Sequence, residues 1–244
     1  MITHPFPPGI SFVSELMTAM KRIEQLGITY PEMYYESLKE KYETSPPPYP
    51  YIIKHAGDPR IKTHFQYMTV LRDTGALLDY GCGTGDAVRQ LIRDGYPREN
   101  ITAFDVNDAS IRLGWDLYLD RDELSGLFHV HPRLPYDESE FHTVYSGSVI
   151  HVLREDAEFE EYLGNAHRVL VPGGLLFGST LGLSDDAPER GMGGPPRMMP
   201  GRLLMDSFRH AGFREIQFIT EDHPELERPE RFFRIWQFCA RKAE

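Results

Sequence analysis

The sequence has only two cysteines in 244 residues, Cys82 and Cys239, and no CxxC pair. That is too few for a disulfide framework or a thiolate metal site, so both are expected as reduced thiols, Cys239 as a small core residue. Cations are outnumbered: 26 Lys and Arg stand against 37 Asp and Glu, a formal net charge of −11. Non-specific affinity for nucleic acid depends on clustered Lys and Arg, so the balance argues against such a partner. No run of about 18 apolar residues occurs, and the opening MITHPFPPGI lacks a basic start before an apolar stretch. Neither a membrane span nor a signal peptide is expected. The expectation is a cytoplasmic protein, monomer or homodimer, acting on a small molecule.

What is present fits one globular α/β domain with an appendage: 41% of the residues are hydrophobic and 26% charged. Phe12, Val13, Leu16, Met17, Met20, Ile23 and Leu26 keep one helical face, with Gly27 placed as a stop. A second helix is expected from Pro31, where Tyr34, Leu38 and Tyr42 recur at four-residue spacing. The prolines of SPPPYP, Ser45 to Pro50, then interrupt helix and mark the best internal boundary. The chain thus divides into a helical lid with its linker over 1–69 and a main domain over 70–244.

From about residue 70 the pattern alternates. ALLDY, NITAFDV, GLFHV, HTVYSGS and LLFGST read as strands, the last beginning after Pro172-Gly173-Gly174. Helices are expected at Asp86–Asp94, 109–119, 158–170 and 203–211, followed by the strands FREIQFI and RIWQFCARK. Alternation of this kind predicts a Rossmann-like, doubly wound, mostly parallel seven-stranded sheet whose ligands sit beyond the carboxyl ends of its strands.

LLDYGCGTGD, Leu77 to Asp86, would then be the turn from the first strand into the first helix. Gly81, Gly83 and Gly85 admit positive φ and let a ligand lie against backbone. Asp105 ends the next strand 20 residues after Gly85, the spacing at which a carboxylate meets ribose hydroxyls. A dinucleotide loop reads GxGxxG; here the pattern is GxGxG, with Asp79 before the first glycine and Asp86 after the last. Carboxylates at both flanks disfavour a pyrophosphate and suit a ligand carrying an ammonium group. S-adenosylmethionine combines ammonium, sulfonium and ribose.

The run Leu77 to Gly85 with Asp105, then LPYDESEFHTVYSGSVIHVL, then AHRVLVPGGLLFGST, resembles in order the motifs of class I S-adenosylmethionine-dependent methyltransferases over about residues 70 to 244. More narrowly, DGYPRENITAFDVNDASIRLGWDLYLDRDEL with YSGSVIHVL and FRHAGF is similar to fungal methyltransferases of meroterpenoid pathways, which esterify carboxyl groups. The resemblance implies that Asp79, Gly81, Cys82, Gly83 and Gly85 surround the methionine part of the cofactor. By the same resemblance Asp105 holds the ribose, Val106 lies beside the adenine, and Ser146 and Gly147 face the methionine end. Many relatives carry an acidic residue after the third strand, where this chain has His131-Pro132; backbone carbonyls would serve there instead.

Methyl transfer is an in-line displacement with a good leaving group, so positioning supplies much of the acceleration. His151, just past the fourth strand, is the candidate polar catalytic residue, as base or as hydrogen-bond donor, against the reading that it only bonds backbone. His129 and His131 alternate on one strand but find no third ligand, so no metal site is expected. The Gly-, Pro- and Met-rich segment Asp185 to Arg202 reads as a substrate loop, with Arg197 or Arg202 gripping a carboxylate and Met192, Met198 and Met199 lining an apolar pocket. Tyr30, Tyr34 and Tyr35 would cover the acceptor, with Tyr34 as a direct contact. The expected activity is methyl transfer to a carboxyl or hydroxyl oxygen of a largely apolar metabolite. The rivals are a protein or nucleic-acid methyltransferase, a scaffold that binds the cofactor, and a lyase or pericyclase using the sulfonium as a fixed charge.

Overall fold

A computed structural model describes residues 12–47, 49–186, 198–221 and 233–244. The strands are β1 (Leu77–Tyr80), β2 (Ile101–Asp105), β3 (Phe128–Val130), β4 (Phe141–Gly147), β5 (Leu170–Leu183), β6 (Phe213–Glu221) and β7 (Phe233–Lys242). They form one seven-stranded sheet in the order β3-β2-β1-β4-β5-β7-β6. β1 pairs in parallel with both β2 and β4, setting Leu78 against Thr102 and Val144. Only β7 runs antiparallel, inserted between β5 and β6. The chain leaves β1 toward β2 on one side and later returns to β4 on the other, so a crevice opens above the end of β1.

The helices are α1 (Phe12–Glu24), α2 (Tyr34–Thr44), α3 (Tyr67–Val70), α4 (Asp86–Arg93), α5 (Asp108–Tyr118), α6 (Arg121–Leu124), α7 (Asp156–Val169) and α8 (Gly201–His210). A central parallel strand is covered on both faces and reads as a continuous apolar run. In β1, Leu78 joins Phe104, Val144 and Leu176 beneath Phe159, Tyr162 and Leu163 of α7 and Phe208 of α8. Leu77 joins Ala103, Tyr145 and Phe177 beneath Val88 and Leu91 of α4 and Ile111 of α5. None of the described helices is long and apolar enough to cross a membrane.

The N-terminal helices build a third cluster. Leu16, Ala19, Met20 and Ile23 of α1, Leu38 and Tyr42 of α2, and Ile53 pack on Leu113, Leu117 and Tyr118 of α5. α1 ends at Glu24, short of Leu26 and of the expected stop Gly27, which takes φ 95° in the turn that follows; α2 begins at Tyr34 rather than Pro31. β5 starts at Leu170, before the Pro-Gly-Gly turn. Leu170 pairs with Phe141, Gly173 takes φ 76°, and pairing resumes at Thr143 with Leu175, so the turn is an irregularity inside the strand.

Candidate functional site

Gly81, Gly83 and Gly85 all adopt positive φ, at 84°, 55° and 72°. Side chains would collide there. A Cβ on Gly81 would lie 2.4 Å from Val149, one on Gly83 2.6 Å from Ile52, and one on Gly85 2.4 Å from Phe128. The loop amides are already committed: Gly81 and Cys82 donate to the Phe104 carbonyl at 2.8 and 3.0 Å, and Gly85 to that of Cys82 at 2.8 Å. Gly83 donates to Asp105 Oδ2 at 2.8 Å. A pyrophosphate needs donors aimed outward. Four of the loop's amides offer it none, and carboxylates stand beside them.

Those carboxylates differ in their solvation. Asp105 accepts from Gly83 through Oδ2 and from the Asn107 amide through Oδ1 at 2.8 Å. Burial pushes its pKa up and these amides oppose the rise. Asp79 is fully buried, and its Oδ2 has no hydrogen-bond partner among the described residues. Burial, then the charges of Asp105 and Asp86, hold its carboxyl well above the ordinary range. A buried carboxylate oxygen without a donor is costly, and an ammonium group supplies what it lacks. Asp79 therefore fits the amino end of S-adenosylmethionine. Asp105 retains lone pairs for ribose hydroxyls, and Val106 presents an apolar side chain 65% exposed beside it. Burial and both aspartates also push the Cys82 thiol up, which keeps it protonated and inert.

Asp86 departs from the expectation of a second flanking carboxylate. Its Oδ1 accepts from the Gly57 amide at 2.9 Å and from the Tyr118 hydroxyl, and its Oδ2 from the Thr84 hydroxyl. It faces the protein rather than the crevice.

On the other wall, the Ser146 hydroxyl is buried and accepts a hydrogen bond from Tyr162, beneath α7. Gly147 leaves room for the Tyr145 hydroxyl, which lies 2.5 Å from where a Cβ would stand. Its strand neighbour Ser179 carries a buried hydroxyl with no partner among the described residues.

β5 outruns β4, so beyond Ser179 its edge needs another acceptor. His151, in the short turn Ile150–Val152, supplies one: the Leu181 amide donates to Nδ1 at 3.4 Å, and Thr180 Oγ1 lies 3.3 Å from the same nitrogen. An acceptor at Nδ1 places the ring proton on Nε2. Nε2 lies 3.5 Å from the Tyr49 hydroxyl. Burial, then Arg60, lowers the His151 pKa to about 4, so the ring is neutral at pH 7. Burial raises Tyr49 to about 12.

Tyr49 is the residue the sequence reading passed over, as part of a proline linker. The turn Pro50–His55 that follows it lays Ile52 on Gly83, so one short segment touches both the glycine loop and His151. Tyr34 is occupied elsewhere. Its hydroxyl donates to the Asp116 carbonyl at 2.9 Å, and its ring stacks on Tyr30 at 5.6 Å. Arg202 is exposed in the first turn of α8, its amide donating to Asp185 Oδ1 at 2.8 Å. Met198 and Met199 are half-buried, and the Met199 carbonyl accepts from Leu183 at 2.9 Å. Arg197 and Met192 lie outside the described residues. His131 Nδ1 sits 3.1 Å from the Arg133 carbonyl, while the His129 ring meets Tyr136 edge-on.

Residues 78–178 match the family model Methyltransf_11, a methyltransferase domain. With the strand order and the loop geometry, that defines the class: a class I methyltransferase fold, whose glycine loop and aspartates here fit S-adenosylmethionine. Among curated proteins the chain is similar to methyltransferase adrK of Penicillium roqueforti, 35% identical over 102 residues that take in 38% of this chain and 35% of the relative. It is also similar to the ubiquinone/menaquinone biosynthesis C-methyltransferase UbiE of Methylobacterium nodulans, 33% identical over 106 residues, 41% of this chain and 40% of that protein. Both matches span well under half of the relatives' length. Among solved structures, the 1,6-didemethyltoxoflavin-N1-methyltransferase of Burkholderia thailandensis, with bound 1,6-didemethyltoxoflavin and S-adenosylhomocysteine, has a TM-score of 0.55 at 16% identity, covering 98% of this chain and 94% of its own. At that identity the likeness is one of fold.

Proposed function

We propose that this protein transfers a methyl group from S-adenosylmethionine to an oxygen, carboxyl or hydroxyl, of a small, largely apolar acceptor of terpenoid kind, in the cytoplasm. The observation that carries the reading is the unpartnered, buried Asp79 Oδ2 beside a glycine loop whose amides are already committed. Asp79 would bind the ammonium, Asp105 the ribose and Val106 the adenine. When bound, the cofactor supplies an electrophilic methyl on a sulfonium leaving group.

The chain's own residues orient and enclose. His151 is neutral with its proton on Nε2, the arrangement of a hydrogen-bond donor rather than a base. Tyr49 keeps its proton at pH 7, and its hydroxyl lies 3.5 Å from His151 Nε2. A site without an evident base favours an acceptor oxygen already ionised at pH 7, which supports a carboxyl over a hydroxyl. The similarity to UbiE makes carbon the second reading for the acceptor atom.

The test is incubation with methyl-labelled S-adenosylmethionine and a panel of terpenoid acids, aromatic acids, phenols and amines, followed by alkali. Volatile label released as methanol is the expected result and marks a methyl ester. Label retained in an organic product shifts the acceptor to an ether oxygen, nitrogen or carbon, and absence of any labelled product despite cofactor binding removes the methyl-transfer reading for that panel.

A further inference from the structure

Asp86 is used by no part of the reaction just described, yet three separate elements donate to it. Only 8% exposed at the start of α4, it accepts from the Gly57 amide, the Tyr118 hydroxyl at the end of α5 and the Thr84 hydroxyl of the glycine loop. We propose that Asp86 is a positioning residue that couples occupancy of the glycine loop to closure of the N-terminal helices over the crevice.

Each contact around it is tight enough to transmit a displacement. Gly57 takes φ 80° with α1 directly behind it: a Cβ there would lie 2.9 Å from that of Arg22. Five residues earlier Ile52 rests on Gly83, and Tyr49 reaches His151, so the segment tied down at Gly57 roofs the site. On the loop side, the Thr84 carbonyl accepts from Arg89 Nη1 at 2.5 Å, and Arg89 makes a two-pronged pair with Asp120 at 2.6 and 2.7 Å. α5 lies against the same carbonyl, which is 2.1 Å from where a Cβ on Gly114 would stand.

The same end of α5 that carries Tyr118 also holds the N-terminal helices. Tyr30 donates to the Leu117 carbonyl at 2.6 Å and Tyr34 to that of Asp116 at 2.9 Å, while Tyr42 at 2.5 Å and Lys41 reach the Asp116 carboxylate. The glycine loop thus meets those helices at two points, Gly57 and the end of α5, and Asp86 joins both. A ligand that orders Thr84 lowers the cost of ordering Gly57 and Ile52, and by linkage a closed N-terminal segment tightens the ligand. Asparagine at 86 keeps the volume and one acceptor oxygen for Gly57 and Tyr118 but removes the charge and turns an N–H2 toward the Thr84 hydroxyl, which must then accept, so the tie to the glycine loop is the one weakened.

The inference rests on the cofactor assignment and not on methyl transfer, so S-adenosylhomocysteine is a sufficient probe. Hydrogen exchange of the full chain with and without it should show slowed exchange in peptides over 81–86, 50–58 and 113–118. In Asp86→Asn the loop should still respond while the other two fall silent, with the Kd for S-adenosylhomocysteine weakened about tenfold. Tyr118→Phe, which keeps the ring beneath Arg89 at 4.1 Å, is the second variant and should lose part of the same response. Binding to the natural sequence without a response at 50–58, or an Asp86→Asn response equal to the natural one, overturns the coupling alone. Failure of S-adenosylhomocysteine to bind the natural sequence at all overturns the cofactor assignment and the coupling together.

Discussion

Asp79 and Asp105 stand at the ends of neighbouring strands, and only one of them is satisfied by the protein. Asp105 receives a backbone amide on each oxygen, while Asp79 Oδ2 receives no hydrogen bond among the described residues. The free protein therefore bears a cost at Asp79 that a cationic ligand removes.

Asp79→Asn should separate these two sides. The raised pKa means that the folded chain retains a proton which the unfolded chain releases above 3.8. Stability of the ligand-free protein accordingly falls as pH rises through that window, and asparagine removes the fall. At pH 7 the variant should unfold about 2–4 °C higher, in the absence of ligand, by scanning calorimetry. Its affinity for S-adenosylhomocysteine should drop at least about 100-fold in titration calorimetry, as when one partner of a buried charge pair is removed.

His151 carries the opposite sign. Its pKa falls from 6.5 to about 4, so the unfolded chain takes up a proton that the folded chain refuses. Stability is lost as pH falls through that window, by up to about 1.4 kcal/mol per pH unit for this one group. His151→Asn should lessen the acid sensitivity between pH 6.5 and 4.5, measured as the pH dependence of the urea midpoint. An identical pH dependence in both proteins would mean that the ring is not held neutral. Arg60, Tyr49, Thr180 and the Leu181 amide stand about it, and among the described residues no acid raises its pKa.

Tyr49→Phe should lower kcat/KM for the accepted substrate about fivefold while leaving the Kd for S-adenosylhomocysteine within a factor of about two, since a single neutral hydrogen bond contributes roughly 1 kcal/mol. Parallel losses in both would place the residue with the cofactor instead of the acceptor.

Gly114→Ala tests how closely α5 lies on the glycine loop. The added methyl has 2.1 Å to the Thr84 carbonyl, and backbone cannot yield as a side-chain tip does. A loss of at least about 2 kcal/mol in chemical unfolding is expected, the upper part of the range for overpacking. Binding of S-adenosylhomocysteine should weaken as well.

Legibility in the sequence followed the range of the interactions. The glycine loop is a local matter of positive φ, and the distance from Gly85 to Asp105 is set by one strand-helix-strand unit, so both could be read directly. The role of Asp86 could not. Whether a carboxylate faces ligand or protein depended on Gly57, 29 residues before it, and Tyr118, 32 residues after it. Tyr34 kept the helical face that its spacing implied, but α5 took its hydroxyl. The Nδ1 contact of His151 arises because β5 outruns β4, which no property of the histidine announces. Pro172-Gly173-Gly174 signalled a turn and marked a strand irregularity, since the two share the same backbone conformation.

The antiparallel insertion of β7 between β5 and β6 bears on how the chain is made. β6 leaves the ribosome before β7, its one partner strand among the described residues, and β5 has by then filled just the side facing β4. Until β7 emerges, the strands on either side of it lack their shared partner, and Phe208 and Phe218 lack their ring contacts with Phe238. At about 5–20 residues added per second, that interval lasts on the order of a second. Synthesis of this sheet thus ends with a vulnerable nascent chain whose last strand acts as a wedge, and a truncation before β7 should yield an aggregation-prone product rather than a smaller working domain.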